Sequence, residues 1–191
     1  MSAMAAPQTL PAGEADAVHR RHVVSALVVD RPGTLNRVSG LLRARSFNIE
    51  SLTVGTTHEP GKSRMTIAIR GDDGHLRQVL AQLERLIEVL EVTDLTSVAR
   101  IELELVLVEL DPPRTPAAER ALGKILEAAG GETLSSNTEQ LRARLTATPE
   151  VIDHALDALR GLGLRSLVRA GAVAMAADRI TPGTKNGATR A

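Results

Sequence analysis

Asp30, Arg31, Pro32, Gly33, Thr34 and Leu35 place a carboxylate, a fixed turn and a glycine just ahead of an apolar-periodic segment. A helix starting there begins with backbone N–H groups that lack intrahelical partners, and its dipole adds positive potential. A small carboxylate can sit on such groups. Gly33 lets it approach because no Cβ stands in the way. Pro32 fixes the turn and removes a donor that would otherwise need a partner. Thr34 is the expected N-cap, and Asp30 can offer its carboxylate to an ammonium group. Eighteen residues after Asp30, Asn48 opens a strand with both a donor and an acceptor, and Ile49 follows. In a β-α-β unit such a turn and such a strand can face each other across one polar pocket. The combination suits a free α-amino acid held by both charged ends. The same residues also describe a tight turn and a capped helix with no ligand.

Other polar residues carry less chemistry. Glu50 and Ser51 read as polar edge residues, and Arg64 as a carboxylate anchor or an exposed strand arginine. Glu102 and Glu104 share one side of a strand like a paired carboxylate, but a solvated strand face is the expected role. The five histidines lie in unrelated segments without metal-ligand spacing. No nucleophile elbow or phosphate-binding lysine loop is present. Gly161-Leu162-Gly163 reads as a helix stop. No catalytic residue and no metal site is expected.

Composition narrows the class further. The 191 residues are 43% hydrophobic, enough for a buried core, yet include no Trp, no Tyr and one Phe, Phe47. The core is therefore aliphatic, and the stacking platform for single-stranded nucleic acid is missing. With 23 basic and 23 acidic side chains, no electrostatic footprint for nucleic acid or an anionic membrane exists. The absence of cysteine excludes disulfides and thiolate chemistry. No apolar run nears the roughly 20 residues a membrane helix needs, and no secretory signal is evident. A cytoplasmic location is expected.

The elements that position the turn follow from periodicity. Residues 22–29 are apolar on both faces, as in a covered central strand. Leu35, Val38, Leu41 and Leu42 recur with helical spacing to about Arg45. Residues 47–57 and 63–70 read as strands around a hairpin loop, with Met65, Ile67 and Ile69 on one face. Leu76, Val79, Leu80 and Leu83 mark a second helix, and residues 88–96 a fourth strand. The order recurs. Residues 100–110 alternate, with Ile101, Leu103, Leu105 and Leu107 as an apolar face. Thr115 and Pro116 open a helix closed by Gly130 and Gly131. Short strands at 132–136 and 141–147, a helix at 149–159 and a strand at 164–168 complete the repeat. The fold class is α+β: two ferredoxin-like βαββαβ modules, over residues 21–97 and 98–178. A disordered leader (1–20) and tail (179–191) are expected to flank them.

Residues 22–96 resemble the regulatory small subunit of acetolactate synthase (acetohydroxyacid synthase). The resemblance is carried by Ser25 through Leu35, ending Asp30-Arg-Pro-Gly-Thr-Leu35, by Arg37-Val38, by Phe47-Asn-Ile-Glu-Ser-Leu-Thr-Val54 and by Ser63-Arg-Met-Thr-Ile67. The Asp-x-Pro-Gly-x-Leu turn alone marks the wider class of ACT domains, small amino-acid-sensing modules. Beyond residue 97 the halves share element order rather than these motifs. The resemblance implies that the first module is an ACT domain and that the chain is not an enzyme by itself. It implies a homodimer through ACT domains and activation of a catalytic large subunit. Thiamine diphosphate, Mg and FAD are expected on that subunit and no cofactor in this chain. Feedback inhibition by valine or a related branched-chain amino acid is implied too. The effector site would comprise Asp30, Pro32, Gly33, Thr34 and Leu35 of one protomer, with Asn48 and Ile49 of its neighbour. A stand-alone ACT-type amino-acid sensor for another enzyme is the alternative.

Overall fold

The computed structural model describes residues 20–44 and 48–178. The expected leader up to residue 19, the tail from 179, the helix end at Arg45 and the strand start at Phe47 lie outside the described residues.

The first six elements are β1 (Arg20–Val29), α1 (Thr34–Ala44), β2 (Asn48–Thr56), β3 (Lys62–Gly71), α2 (Asp73–Leu83) and β4 (Val89–Asp94). They form an antiparallel sheet of order β2-β3-β1-β4. β1 is central, which explains why its apolar residues are buried on both sides. Val24, Ala26 and Val28 join Met65, Ile67 and Ile69 beneath Val38 and Leu42 of α1 and Val79 and Leu83 of α2. Asp72 caps α2 by accepting from the His75 amide at 2.8 Å. Leu35 departs from the expected helical stripe. It stands half-exposed at the first turn of α1, whereas Val38 and Leu42 are buried in the core and Leu41 packs against it.

The second half repeats the order with β5 (Arg100–Leu110), α3 (Pro116–Ala128), β6 (Glu132–Ser136), β7 (Leu141–Ala147), α4 (Pro149–Arg160) and β8 (Leu164–Arg169). Thr115 caps α3 as expected, accepting from the Ala118 amide at 3.2 Å. A further strand, β9 (Val173–Ala176), pairs with β5. β8 and β9 lie end to end along one side of the long β5: residues 106–110 pair with β8 and residues 100–103 with β9.

One expectation about β5 is overturned. Ile101, Leu103, Leu105 and Leu107 do not face the core but stand exposed. The opposite face, with Val106, Val108 and Leu110, packs under Leu122, Leu126, Ile152 and Leu159 of the helices. From Leu105 to Val108 both faces of this strand are apolar, so alternation there does not choose the side the helices cover. This orientation carries Glu102 and Glu104 inward. They are buried to 8% and 5% exposure rather than solvated.

The two sheets meet along the helix-free face of the first. The side of β5 and β9 bearing Glu102 and Ala174 lies on β1 and β3, with the Ala174 amide 3.4 Å from Thr66 Oγ1. Gly171 sits so close to β2 that a Cβ there would be 2.4 Å from Thr53 Oγ1 and 3.2 Å from Ser51 Cβ. Only glycine permits that approach.

Candidate functional site

The turn after β1 is open. Asp30, Arg31, Pro32 and Gly33 are exposed, and Gly33 adopts φ +90° with free space where a Cβ would stand. The turn's own bonds run from the Asp30 amide to the Gly61 carbonyl at 2.8 Å and from the Thr34 amide to the Arg31 carbonyl at 3.2 Å. The Arg37 amide reaches the Gly33 carbonyl at 3.0 Å. The amides of Gly33, Leu35 and Asn36 have no acceptor among the described residues. Thr34 does not act as the expected N-cap. It is buried, and its hydroxyl donates back to the Val29 carbonyl at 3.0 Å. The hydroxyl thus pins the turn to β1 and leaves the helix start uncapped. A small anion is the chemistry such a terminus accommodates.

Asn48 is exposed at the start of β2, opposite Arg70 in the ladder. Arg70 in turn pairs with Arg21 on β1, nine positions before Asp30. At about 3.3 Å per residue, Asn48 and the turn are separated by roughly 30 Å along the sheet. One protomer therefore does not bring them to one pocket. The cause is the β-α-β crossover, which makes β2 run parallel to β1 and start at the far end from the turn. Ile49 is also differently employed: it packs against its own module's core, opposite Ile69.

Glu50 is not an idle edge residue. Its carboxylate takes the Arg21 Nε at 2.8 Å and the Arg70 Nη2 at 2.9 Å. Arg21 Nη2 also lies 2.6 Å from Glu102 Oε1, and Arg100 Nε lies 2.8 Å from Glu102 Oε2. Burial pushes the Glu102 carboxyl up, but the hydrogen bonds and charges of Arg21 and Arg100 outweigh it and hold it below its usual value. Burial likewise pulls the Arg21 guanidinium down, and Glu102 with Glu50 more than compensates. Glu104 receives Arg169 Nε at 2.6 Å, and Arg169 Nη1 reaches Asp153 of α4 at 2.6 Å. Arg21, Glu50, Arg70, Glu104 and Arg169 line a recess of about 390 Å³ at this seam. Arg64 donates to Ser25 Oγ at 3.0 Å and lies 3.6 Å from Glu91.

Sequence reasoning missed this seam. Its one signal was a pair of carboxylates at alternate positions of a strand whose other residues are mostly apolar. Among the described residues, no helix is long and apolar enough to cross a membrane, and no group of three His, Asp or Glu is placed to hold a metal.

Residues 24–91 match a family model described as the AHAS small subunit-like ACT domain. Residues 103–178 match one described as the small subunit of acetolactate synthase, so the second half is matched as well as the motif-bearing first. A protein of Methanothermobacter thermautotrophicus described as a probable acetolactate synthase small subunit is 40% identical over 157 residues, which is 81% of this chain and 91% of that protein. The acetolactate synthase small subunit of Aquifex aeolicus is 36% identical over 156 residues, covering 82% and 81%. The crystal structure of the acetolactate synthase small subunit from Thermotoga maritima matches with a TM-score of 0.74 at 29% identity, over 84% of this chain and 99% of that one.

Proposed function

Because the chain belongs to the family of acetolactate synthase small subunits, we propose that it is a regulatory subunit that binds a branched-chain amino acid, valine or a relative, between two copies of itself. It performs no chemistry of its own. Thiamine diphosphate, Mg and FAD belong to the catalytic subunit it activates, and the effector passes its signal to that subunit. Residues 21–97 form the sensing module and residues 98–178 the second.

One observation carries this reading: the sheet order leaves β2 as an edge strand with its N–H and C=O groups unpaired on one side. Two copies related by a two-fold axis would pair their β2 edges antiparallel. The partner's β2 then starts where this chain's β2 ends, at Thr56. Thr56 lies opposite Ser63, and Lys62 pairs with Val29 beside the turn. The pairing therefore sets a partner Asn48 at the same end of the joined sheet as Asp30 and Gly33. The three unpaired amides would take the ligand's carboxylate, and Asp30 its ammonium group. Half-exposed Leu35 would offer an apolar contact to a branched side chain.

The coupling expected of such an effector is about 1–3 kcal/mol. At ~100 times its dissociation constant, the ligand adds about 2.7 kcal/mol of stability. A thermal melt with valine, leucine and isoleucine reads this directly, and a shift with none of them would discard effector binding. Gly33→Asp puts a carboxylate where the ligand's should sit, with room for it but at a φ that side chains resist. In the enzyme reconstituted with its catalytic subunit, inhibition should vanish while assembly survives. Loss of assembly would instead make the turn purely structural.

A further inference from the structure

Arg64 takes no part in the effector turn or in the ion pairs of the seam. On the helix-free face of the first sheet it shares one rung with Gly55, Leu27 and Glu91, and the next rung holds Thr53, Thr66, Ser25 and Thr93. Arg64 and Glu91 therefore flank Leu27, two strand spacings or roughly 10 Å apart at the backbone. Their side chains lean together to 3.6 Å, too far for a hydrogen bond. Arg64 Nη1 donates to the Ser25 hydroxyl at 3.0 Å, while its Nε and Nη2 have no hydrogen-bond acceptor among the described residues. Glu91 takes the Thr93 hydroxyl at 3.3 Å.

The space over this rung is enclosed. Ser25 and Leu27, buried to 3% and 9% exposure, form its floor. Ala174 and Ala176 of β9 cover it with the side of that strand turned away from the exposed Val173 and Met175. With Thr57, His58 and Leu95 they bound a cavity of about 360 Å³. That size and a mostly aliphatic wall with a few convergent polar groups are those of a small-molecule site. Glu59, which also borders the cavity, is engaged by Lys62.

Two opposite charges that approach without bonding select a ligand carrying both signs. A carboxylate can take the free edge of the Arg64 guanidinium in the bidentate manner such groups favour. An ammonium group beside it can donate to Glu91, and a short aliphatic side chain can lie over Leu27. A phosphate or a dicarboxylate would bring excess negative charge against Glu91 and Glu59.

We propose that this cavity is a second amino-acid site, which holds one aliphatic α-amino acid within each protomer by its carboxylate on Arg64 and its ammonium group on Glu91. The sheet supplies the floor and β9 the roof, so the ligand binds only while the second module lies on the first, and it stabilises that seam. The site needs neither the turn nor the β2 pairing.

Calorimetric titration of the full chain with valine should count two sites per chain, and Gly33→Asp, which closes the turn, should leave one. In the Gly33→Asp chain, Arg64→Met should weaken the remaining site at least roughly 10-fold. Glu91→Gln should weaken valine by a similar factor but leave 3-methyl-2-oxobutanoate, which lacks the ammonium group, unaffected. Damage to the fold alone would weaken both. Ala176→Leu fills the roof with both charges intact and should abolish binding, which keeps the test open if Arg64→Met does not fold. A Gly33→Asp chain that binds neither valine nor leucine overturns this inference and leaves the turn as the effector site. A single site that survives Gly33→Asp and is lost in Arg64→Met upholds this inference and discards the turn. Binding that persists through Arg64→Met and Ala176→Leu, or a Glu91→Gln effect equal for the amino acid and the oxo acid, overturns it.

Discussion

The two modules share one element order but treat the helix-free side of the sheet in opposite ways. In the first, Val23, Ser25 and Leu27 of β1 are buried on that side beneath the β5–β9 pair. In the second, the equivalent side of β5 carries four exposed aliphatic residues. Helices cover only one face of such a sheet, so each module needs a second covering. The first obtains it from within the chain and binds it with charges: Arg21, Arg70 and Glu50 at the rim, Glu102 and Arg100 on the cover. On the second, the pairs Arg142–Glu109 and Arg144–Glu132 flank the aliphatic row but bind no covering strand. A face built for one fixed neighbour can hold ion pairs in register across the seam, whereas the aliphatic row on β5 has no cover among the described residues.

Removing Arg21 should break this contrast most severely. Arg21→Met leaves Glu102 buried with Arg100 as its remaining partner, and loss of one member of a buried pair costs about 3 kcal/mol. Chemical denaturation should show that loss, with the two modules no longer unfolding as one unit. Adding Glu102→Leu should recover most of it, because replacing a buried pair with apolar groups is often neutral. If the double variant is as unstable as the single one, the seam is held by shape rather than charge.

A smaller effect comes from the backbone approach at Gly171. Gly171→Ala places a Cβ 2.4 Å from Thr53 Oγ1, and overpacking of this kind costs about 1–3 kcal/mol. The severest contact is with a single hydroxyl, and Ser51 Cβ at 3.2 Å is the lesser one, so Thr53→Ala should rescue most of the loss in Gly171→Ala. A double-mutant cycle measures the coupling. Additive losses would place the strain elsewhere.

Most of the element borders were legible because turn residues mark them: Asp-Arg-Pro-Gly after β1, Thr-Pro before α3, paired glycines after α3. The face of β5 was not, since Leu and Val alternate with each other there and only the helices decide. The turn itself was legible from Pro32 and Gly33. The role of Thr34 was not, because a threonine at a helix start can accept from the helix or donate to the strand, and only the fold places Val29 within reach. The ion pairs at Glu102 and Glu104 join residues as much as 81 positions apart, a separation that carries no local signal.

The least effect is expected from pH, and it falls on one side of the comparison alone. Folding holds the Glu102 carboxyl below its usual value, whereas in the unfolded chain it returns to about 4.3. As pH falls, the unfolded chain takes up this proton first. The stabilisation is therefore complete above that pH and is lost as pH falls through the lower, folded-state value. Arg21 titrates above its ordinary range and stays charged throughout. Asp72, held down by the His75 amide, and Glu59, held down by Lys62, add slope in the same acid window, so only a difference between variants isolates the seam. Glu102→Gln should flatten the acid limb of the stability curve relative to the unaltered chain. Glu132→Gln, which breaks an exposed pair with Arg144, should change stability by less than about 1 kcal/mol and leave that limb as it was. Equal slopes in both variants would mean that charge contributes nothing to the covered face, and that the two faces differ only in the neighbour their shape admits.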